Sequence, residues 1–178
     1  INVVDTTPPV ISLDPTSLTI EASSNQYIDN SSGDTFSDNY FTTSQLIIEY
    51  SNNVISNVVG SYQVICSVSD PAGNDASAVR TVNIVDTTPP VITLSGDNPL
   101  QLEVNSSYVE YGASAYDIVD GSLSFDLFEI SYNDLCMNLL GTYSVIYDIS
   151  DSCGNDISAV RTINVVDTTP PVISLDPT

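Results

Sequence analysis

The sequence predicts an all-β chain built from two tandem two-sheet sandwiches of about seven strands each, and three observations carry that prediction. One phrase recurs. Ile1–Thr16 (INVVDTTPPVISLDPT) returns unchanged at Ile163–Thr178, with a near copy, VNIVDTTPPVITL, over Val82–Leu94. The aspartates of the three copies, Asp5, Asp86 and Asp167, stand 81 residues apart in both intervals, which is the length of one small β domain and too long for a solenoid turn. Between the copies, apolar and polar residues alternate in short runs broken by turn formers, and no stretch keeps a helical period.

In the first repeat, the opening strand is expected at Val10–Leu13, directly behind Pro8-Pro9. The next is expected at Leu18–Ala22, where Leu18, Ile20 and Ala22 alternate with Thr19 and Glu21. Apolar runs then predict strands at Gln45–Tyr50 and Val54–Val58. The most regular alternation begins after Gly60, at Ser61–Ser69, and Ala76–Val85 returns from the turn that follows it. The second repeat follows the same plan, with strands expected at Val91–Leu94, Leu100–Val104, Gly112–Tyr116, Ser124–Ser131, Leu135–Leu139, Thr142–Ser150 and Ile157–Val166. The expected boundaries place the last strand of a preceding repeat at residues 1–4, repeats at 5–85 and 86–166, and the start of a further repeat at 167–178. The outer copies of the phrase match each other better than the middle one, so the repeating unit is read as a pair of domains joined by short Thr-Thr-Pro-Pro linkers. Each proline of those linkers fixes its own φ and extends the residue before it.

Composition narrows the function. Two arginines, Arg80 and Arg161, face 23 acidic residues, with no lysine or histidine and a net charge of −21. Nucleic acid is excluded as a partner because nothing neutralises phosphate, anionic membrane surfaces are excluded for the same reason, and no apolar run is long enough for a spanning helix. Absence of histidine removes Ser-His-Asp and Cys-His catalysis, and absence of lysine removes Schiff-base chemistry. No enzyme is expected. The two arginines recur at one strand position and are expected to pair with carboxylates. Cys66, in step with Val64 and Val68, reads as a small buried hydrophobe, and no bridge is expected between Cys136 and Cys153. Asn30-Ser-Ser and Asn105-Ser-Ser are glycosylation acceptor patterns, though they do not share the spacing of the repeat.

Two landmarks favour a sandwich over a barrel. Gly60-Ser61-Tyr62 and Gly141-Thr142-Tyr143 introduce the most regular strand of each repeat, where a sandwich places its tyrosine corner. The hairpins SDPAGNDASAVR and SDSCGNDISAVR repeat Asp70/Asp151, Gly73/Gly154, Asn74/Asn155 and Asp75/Asp156, with the glycine supplying positive φ. Together with the DTTPP openings and the segment Asp117, Val119, Asp120, Gly121, these motifs resemble the bacterial surface-protein Ig-like domain, a cousin of the hyalin repeat. The first repeat departs from that pattern, with Ser37-Asp38-Asn39-Tyr40-Phe41 in place of the D-x-V-D-G segment. The resemblance implies tandem Ig-like sandwiches in an extracellular string acting as stalk, adhesin or spacer.

Calcium is the cofactor the acids point to. In a sandwich of this topology the linker, the loop after the second strand and the last hairpin meet at one end. For the first repeat that gathers Asp5, Asp38, Asn39, Asp70, Asn74 and Asp75, and for the second Asp86, Asp117, Asp120, Asp151, Asn155 and Asp156. Carboxylates, amides and carbonyls suit a hard cation, whereas the nitrogen or clustered sulfur that zinc prefers is missing. The same residues are also ordinary turn formers, and turn chemistry alone or another cation are the competing readings. The function expected is a structural repeat of an extracellular filament, stalk or giant surface adhesin, stiffened by calcium where domains join. The alternatives are an adhesive module binding glycans or partner cells through tyrosines such as Tyr40, Tyr108 and Tyr111, and a spacer in a large secreted enzyme. Neighbouring repeats, and identical chains in a fibre, are the expected partners.

Overall fold

A computed structural model describes residues 2–174, so Ile1 and residues 175–178, which belong to the expected flanking repeats, lie outside the described residues. Strands dominate, and among the described residues no helix is long and apolar enough to cross a membrane. The chain divides into two compact units, Ile1–Thr87 and Thr88–Thr178, with the division two residues beyond the expected boundary.

The first unit holds β1 (Val10–Ser12), β2 (Ser17–Glu21), β3 (Thr35–Ser37), β4 (Ile47–Asn52), β5 (Gly60–Ser69) and β6 (Asp75–Val85). β1 pairs with β3, and the larger sheet runs β2-β6-β5-β4. In the second unit, β7 (Val91–Leu94), β8 (Leu100–Glu103), β9 (Ala113–Asp117), β10 (Gly121–Leu123), β11 (Glu129–Asn133), β12 (Gly141–Ser150) and β13 (Asp156–Val166) form sheets β10-β9-β7 and β11-β12-β13-β8. Both units are Ig-like in plan: the opening segment contributes one strand to each sheet, and its second strand, β2 or β8, pairs in parallel with the last strand of the unit.

Alternation places the core. Along β5, Val64, Cys66 and Val68 are buried while Gln63, Ile65 and Ser67 face outward, and each fully buried valine contributes about 1.5–3 kcal/mol. Leu13, Leu46, Cys66 and Val68 nucleate the first core, with Ala113, Val145, Tyr147, Ile163 and Val165 in the second. Cys66 is fully buried as expected, and Cys136 and Cys153 are not bridged.

Two expected strands are turns instead. Val54–Val58 and Leu135–Leu139 are apolar runs, but each ends on a tyrosine corner: the Tyr62 hydroxyl donates to the Val58 carbonyl and the Tyr143 hydroxyl to the Leu139 carbonyl, both at 2.9 Å. Those carbonyls are held by a side chain, and no neighbouring strand pairs with them. The expected strand at Ser124–Ser131 is interrupted by a 3₁₀ turn at Phe125–Leu127, so β11 begins only at Glu129. β3 and β10, three residues each, were not anticipated.

The two arginines occupy one place in the repeat and are satisfied in different ways. Arg80 is fully buried, donates to the Pro15 carbonyl at 2.8 Å and to Asp29 at 2.5 Å, and forms a second ion pair with Asp34. The expectation of a carboxylate partner fails for Arg161. Its guanidinium reaches the Tyr147 hydroxyl at 3.0 Å and the carbonyls of Asp97, Ser95 and Gly112 at 2.6–3.1 Å. The nearest acid in the chain of bonds is Glu110, which accepts from Tyr147 at 2.5 Å and from Tyr108 at 2.7 Å. Burial works to raise the Glu110 carboxyl, but the two phenol donors outweigh it and hold it below its ordinary value.

Candidate metal centre

In the first unit three aspartates converge from three separate segments. Asp5 comes from the linker, Asp38 from the turn after β3, and Asp70 from the hairpin between β5 and β6. One carboxylate oxygen of each lies within 4.8 Å of the others.

Local turn chemistry fixes each acid and decides which oxygens remain. Asp5 Oδ1 accepts from the Thr7 amide at 3.0 Å. Asp38 Oδ1 accepts from the amides of Tyr40 and Phe41, both at 2.8 Å. Asp70 accepts one bond on each oxygen, the Asn74 amide on Oδ1 at 2.9 Å and the Asn74 side chain on Oδ2 at 2.8 Å, which leaves each oxygen a further lone pair. Burial pushes the Asp70 carboxyl up, but these Asn74 bonds outweigh it and hold it below the ordinary carboxylate range, so it is anionic at neutral pH. Asn74 then ties the hairpin to the linker through the Asp5 carbonyl at 3.3 Å. Gly73 sits at φ +88° with nothing near its missing Cβ, so conformation and not space demands glycine there.

The remaining oxygens, Asp5 Oδ2 and Asp38 Oδ2, are buried and have no hydrogen-bond partner. Unpartnered buried carboxylate oxygens are costly, and Arg80, the one cation of this unit, is occupied by Asp29 and Asp34. An oxygen-only donor set with two unsatisfied carboxyl oxygens fits a hard divalent cation. Beside it opens a cleft of about 450 Å³ lined by Val3, Val4, Asp5, Asn39, Tyr40, Phe41 and Ala72.

Not every anticipated ligand joins this group. The Asn39 amide turns toward the Thr7 hydroxyl at 3.4 Å, and Asn74 acts as a strut for Asp70. Asp75 is exposed on the sheet face and accepts from Ser69 at 2.6 Å. Asp156 does the same with Ser150 at 2.5 Å.

The second unit repeats the turn chemistry. Asp117 Oδ1 accepts from the amides of Val119 and Asp120 at 2.7 and 3.0 Å, as Asp38 does from Tyr40 and Phe41. Asp151 is gripped by Asn155 at 2.8 and 2.7 Å, and its carboxyl is likewise held low by those bonds against the effect of burial. Asp120 is spent on the hairpin tip, accepting from the Ser152 amide and hydroxyl, both at 2.7 Å. Asp86 is buried and falls at the end of the first unit.

Sequence reasoning passed over two sets of acids. Asp29 and Glu110 serve the buried arginines, and the signal was available as Tyr27-Ile28-Asp29 and Tyr108-Val109-Glu110 at the repeat spacing. Glu21 and Glu103 close the strands β2 and β8. Of the tyrosines considered for adhesion, Tyr40 and Tyr111 are exposed, whereas Tyr108 turns inward to Glu110.

Comparison with known proteins agrees with this architecture. Residues 92–165 match the family described as bacterial surface protein, Ig-like domain. Over 98% of its length the chain is 36% identical to hyalin from Strongylocentrotus purpuratus and to hyalin from Lytechinus variegatus, covering 15% and 34% of those proteins. It is 29% identical, over 76% of its length, to an uncharacterized 81.3 kDa protein of Acholeplasma phage L2, of which it covers 19%. The chain therefore spans about a third or less of these relatives. A solved structure of the M60 catalytic domain with the CBM51-1 and CBM51-2 domains from Clostridium perfringens ZmpB superposes over 93% of the chain and 31% of its own, with a TM-score of 0.55 at 13% identity. That likeness speaks to fold alone. By strand order, tyrosine corner and sequence match, the second unit belongs to the bacterial surface protein Ig-like domain family, and the chain as a whole is similar to hyalin.

Proposed function

We propose that the chain is a structural segment of an extracellular filament, stalk or giant surface adhesin, and that calcium bound by Asp5, Asp38 and Asp70 stiffens the point where the linker enters a unit. The family of the second unit makes this a surface module and its location extracellular. The observation that carries the calcium reading is the pair of buried, unpartnered oxygens on Asp5 and Asp38 beside anionic Asp70. Turn chemistry alone accounts for the Oδ1 atoms, each of which has its amide, and leaves the Oδ2 atoms without a purpose. A bound divalent ion would satisfy both and cross-link linker, loop and hairpin, three segments otherwise joined by single hydrogen bonds. It would also relieve part of the repulsion in a chain of net charge −21.

Calorimetric melting with and without EGTA tests this. With calcium a hundredfold above its dissociation constant, binding adds about 2.7 kcal/mol, which for a domain of this size raises the melting temperature by roughly 10–20 °C. Asp38→Asn should abolish that response. A first-unit melt unchanged by EGTA would return the cluster to turn chemistry.

A further inference from the structure

The linker is held at its outgoing end by a different device, one that needs no metal. Parallel pairing is its origin. Because β2 runs alongside β6 in the same direction, and β8 alongside β13, the two strands of each pair finish together. Glu21 stands opposite Val85 and Glu103 opposite Val166, each a short step before the Thr-Thr of the linker. Backbone bonds continue the pairing, from the Ala22 amide to the Val85 carbonyl at 2.8 Å and from the Val104 amide to the Val166 carbonyl at 2.7 Å.

The glutamate then takes hold of the outgoing threonine with both oxygens. In the first unit the Thr87 amide donates to Glu21 Oε1 at 2.8 Å and the Thr87 hydroxyl to Oε2 at 2.9 Å. In the second the Thr168 amide donates to Glu103 Oε1 at 2.9 Å and its hydroxyl to Oε2 at 2.8 Å. Thr169 adds its amide and hydroxyl to the same Oε1, at 3.2 and 2.9 Å. The two units thus reproduce one bidentate pattern, atom for atom, on acids that are 82 residues apart and threonines that are 81 apart. Only five of the 23 acids in the chain are glutamates, and two of the five stand here. The site calls for the longer side chain, because the acid sits in a strand and must reach past the strand end. Charge-assisted bonds of this kind are about twice as strong as neutral ones, and the Thr168 bonds, first those of its hydroxyl, hold the Glu103 carboxyl below its ordinary value.

We infer that Glu21 and Glu103 are positioning residues that clamp the start of each outgoing linker, Thr87 in the first unit and Thr168 with Thr169 in the second, to its own unit, fixing the direction in which the chain leaves. The clamp complements the prolines that follow. The glutamate ties Thr87 in the first unit and Thr168 with Thr169 in the second, and the Pro-Pro that follows is stiff by covalent geometry. A threonine suits both places because its amide and hydroxyl together meet the two oxygens of the carboxylate. The inference rests on the tandem reading of the chain but not on calcium.

The test is hydrogen exchange and ¹⁵N relaxation at the Thr168 and Thr169 amides of the whole chain in EGTA. In the native chain both amides are expected to be ordered and slow without calcium. Glu103→Ala should speed their exchange by at least about tenfold and lower their heteronuclear NOE, while the slowest amides of β12 and β13 keep their rates. Thr168→Val, which retains the amide and the fold but loses the hydroxyl, should give a smaller shift in the same direction. Glu103→Ala with unchanged linker exchange would overturn the clamp. So would native linker amides as fast in EGTA as those of the variant. Failure of the calcium reading has a separate signature, the EGTA-insensitive melt described above, and leaves these linker rates untouched.

Discussion

Replacing Asp34 by alanine probes the buried charge network of the first unit, and its cost can be worked from the contacts. Arg80 and Asp34 both have fully buried side chains. The substitution removes one of two ion pairs from the guanidinium, the acceptor for the Asp14 amide at 3.0 Å and the acceptor for the Tyr50 hydroxyl at 2.7 Å. Breaking a buried pair from one side costs about 3–5 kcal/mol, most of it from the charge left behind. Arg80 keeps Asp29 and the Pro15 carbonyl, which places the cost at the lower end, about 3 kcal/mol. Native-state hydrogen exchange reads this directly, since about 1.4 kcal/mol is a factor of ten. The slowest amides of β5 and β6 should exchange on the order of a hundredfold faster, whereas those of β12 and β13, in a unit with its own core, should not change. An acceleration of less than about tenfold in β5 and β6 would mean that Asp34 is no part of a strong network and that Arg80 is satisfied without it.

Two further outcomes follow from the same geometry. Tyr143→Phe deletes the bond to the Leu139 carbonyl and should cost the second unit about 1 kcal/mol, a fall of roughly 4–8 °C in its calorimetric transition; an unchanged transition would remove the corner from the account of its stability. The carboxyls of Asp34, Asp70, Glu110 and Asp151 are all held below their ordinary values in the folded chain. Their contribution is therefore fully present above the unfolded-state values of about 4 and is lost as pH falls through the lower folded values. Circular dichroism melts should show no loss of stability between pH 7 and pH 5 and a steep loss below about pH 4, and a loss already under way at pH 6 would contradict these assignments.

Most of the fold was legible because a sandwich strand writes its own period. The runs behind Gly60 and Gly141 alternate without a break, and β5 and β12 lie within a residue of their expected places. The corner loops were misread for a physical reason: Val54–Val58 and Leu135–Leu139 are apolar, but Leu135 and Met137 pack on the core from a turn, Ile55, Val58 and Leu139 are exposed, and the shape of each loop is set by a tyrosine hydroxyl four residues on. The cluster of Asp5, Asp38 and Asp70 was legible from topology, which brings the three segments to one end. What sequence could not show was which oxygens each turn consumes. Asp75 and Asp120 look as available as Asp38 on paper, but each turns to a serine and, among the described residues, neither stands in a cluster of acids.

The arginine position shows where repetition of sequence stops constraining the interior. Tyr27-x-Asp29 and Tyr108-x-Glu110 keep their spacing to Arg80 and Arg161, so both units place a half-buried phenol and carboxylate near a guanidinium. Yet Cys66 in one unit stands where Tyr147 stands in the other, and strand register sets Asp34, just before β3, against Ala113 at the start of β9. The polar contacts are exchanged with them. A phenol fills the space of a thiol, an alanine vacates that of a carboxylate, and the hydroxyl of Tyr147 carries the interaction from Arg161 to Glu110 that Asp29 and Asp34 make directly. Polar satisfaction is kept while the partners change, which is what a buried charge requires. Loss of Asp34 without the Tyr147 hydroxyl would take an ion pair from the guanidinium with nothing in its place. The two units therefore share a strand plan and a linker phrase but have separately adjusted interiors.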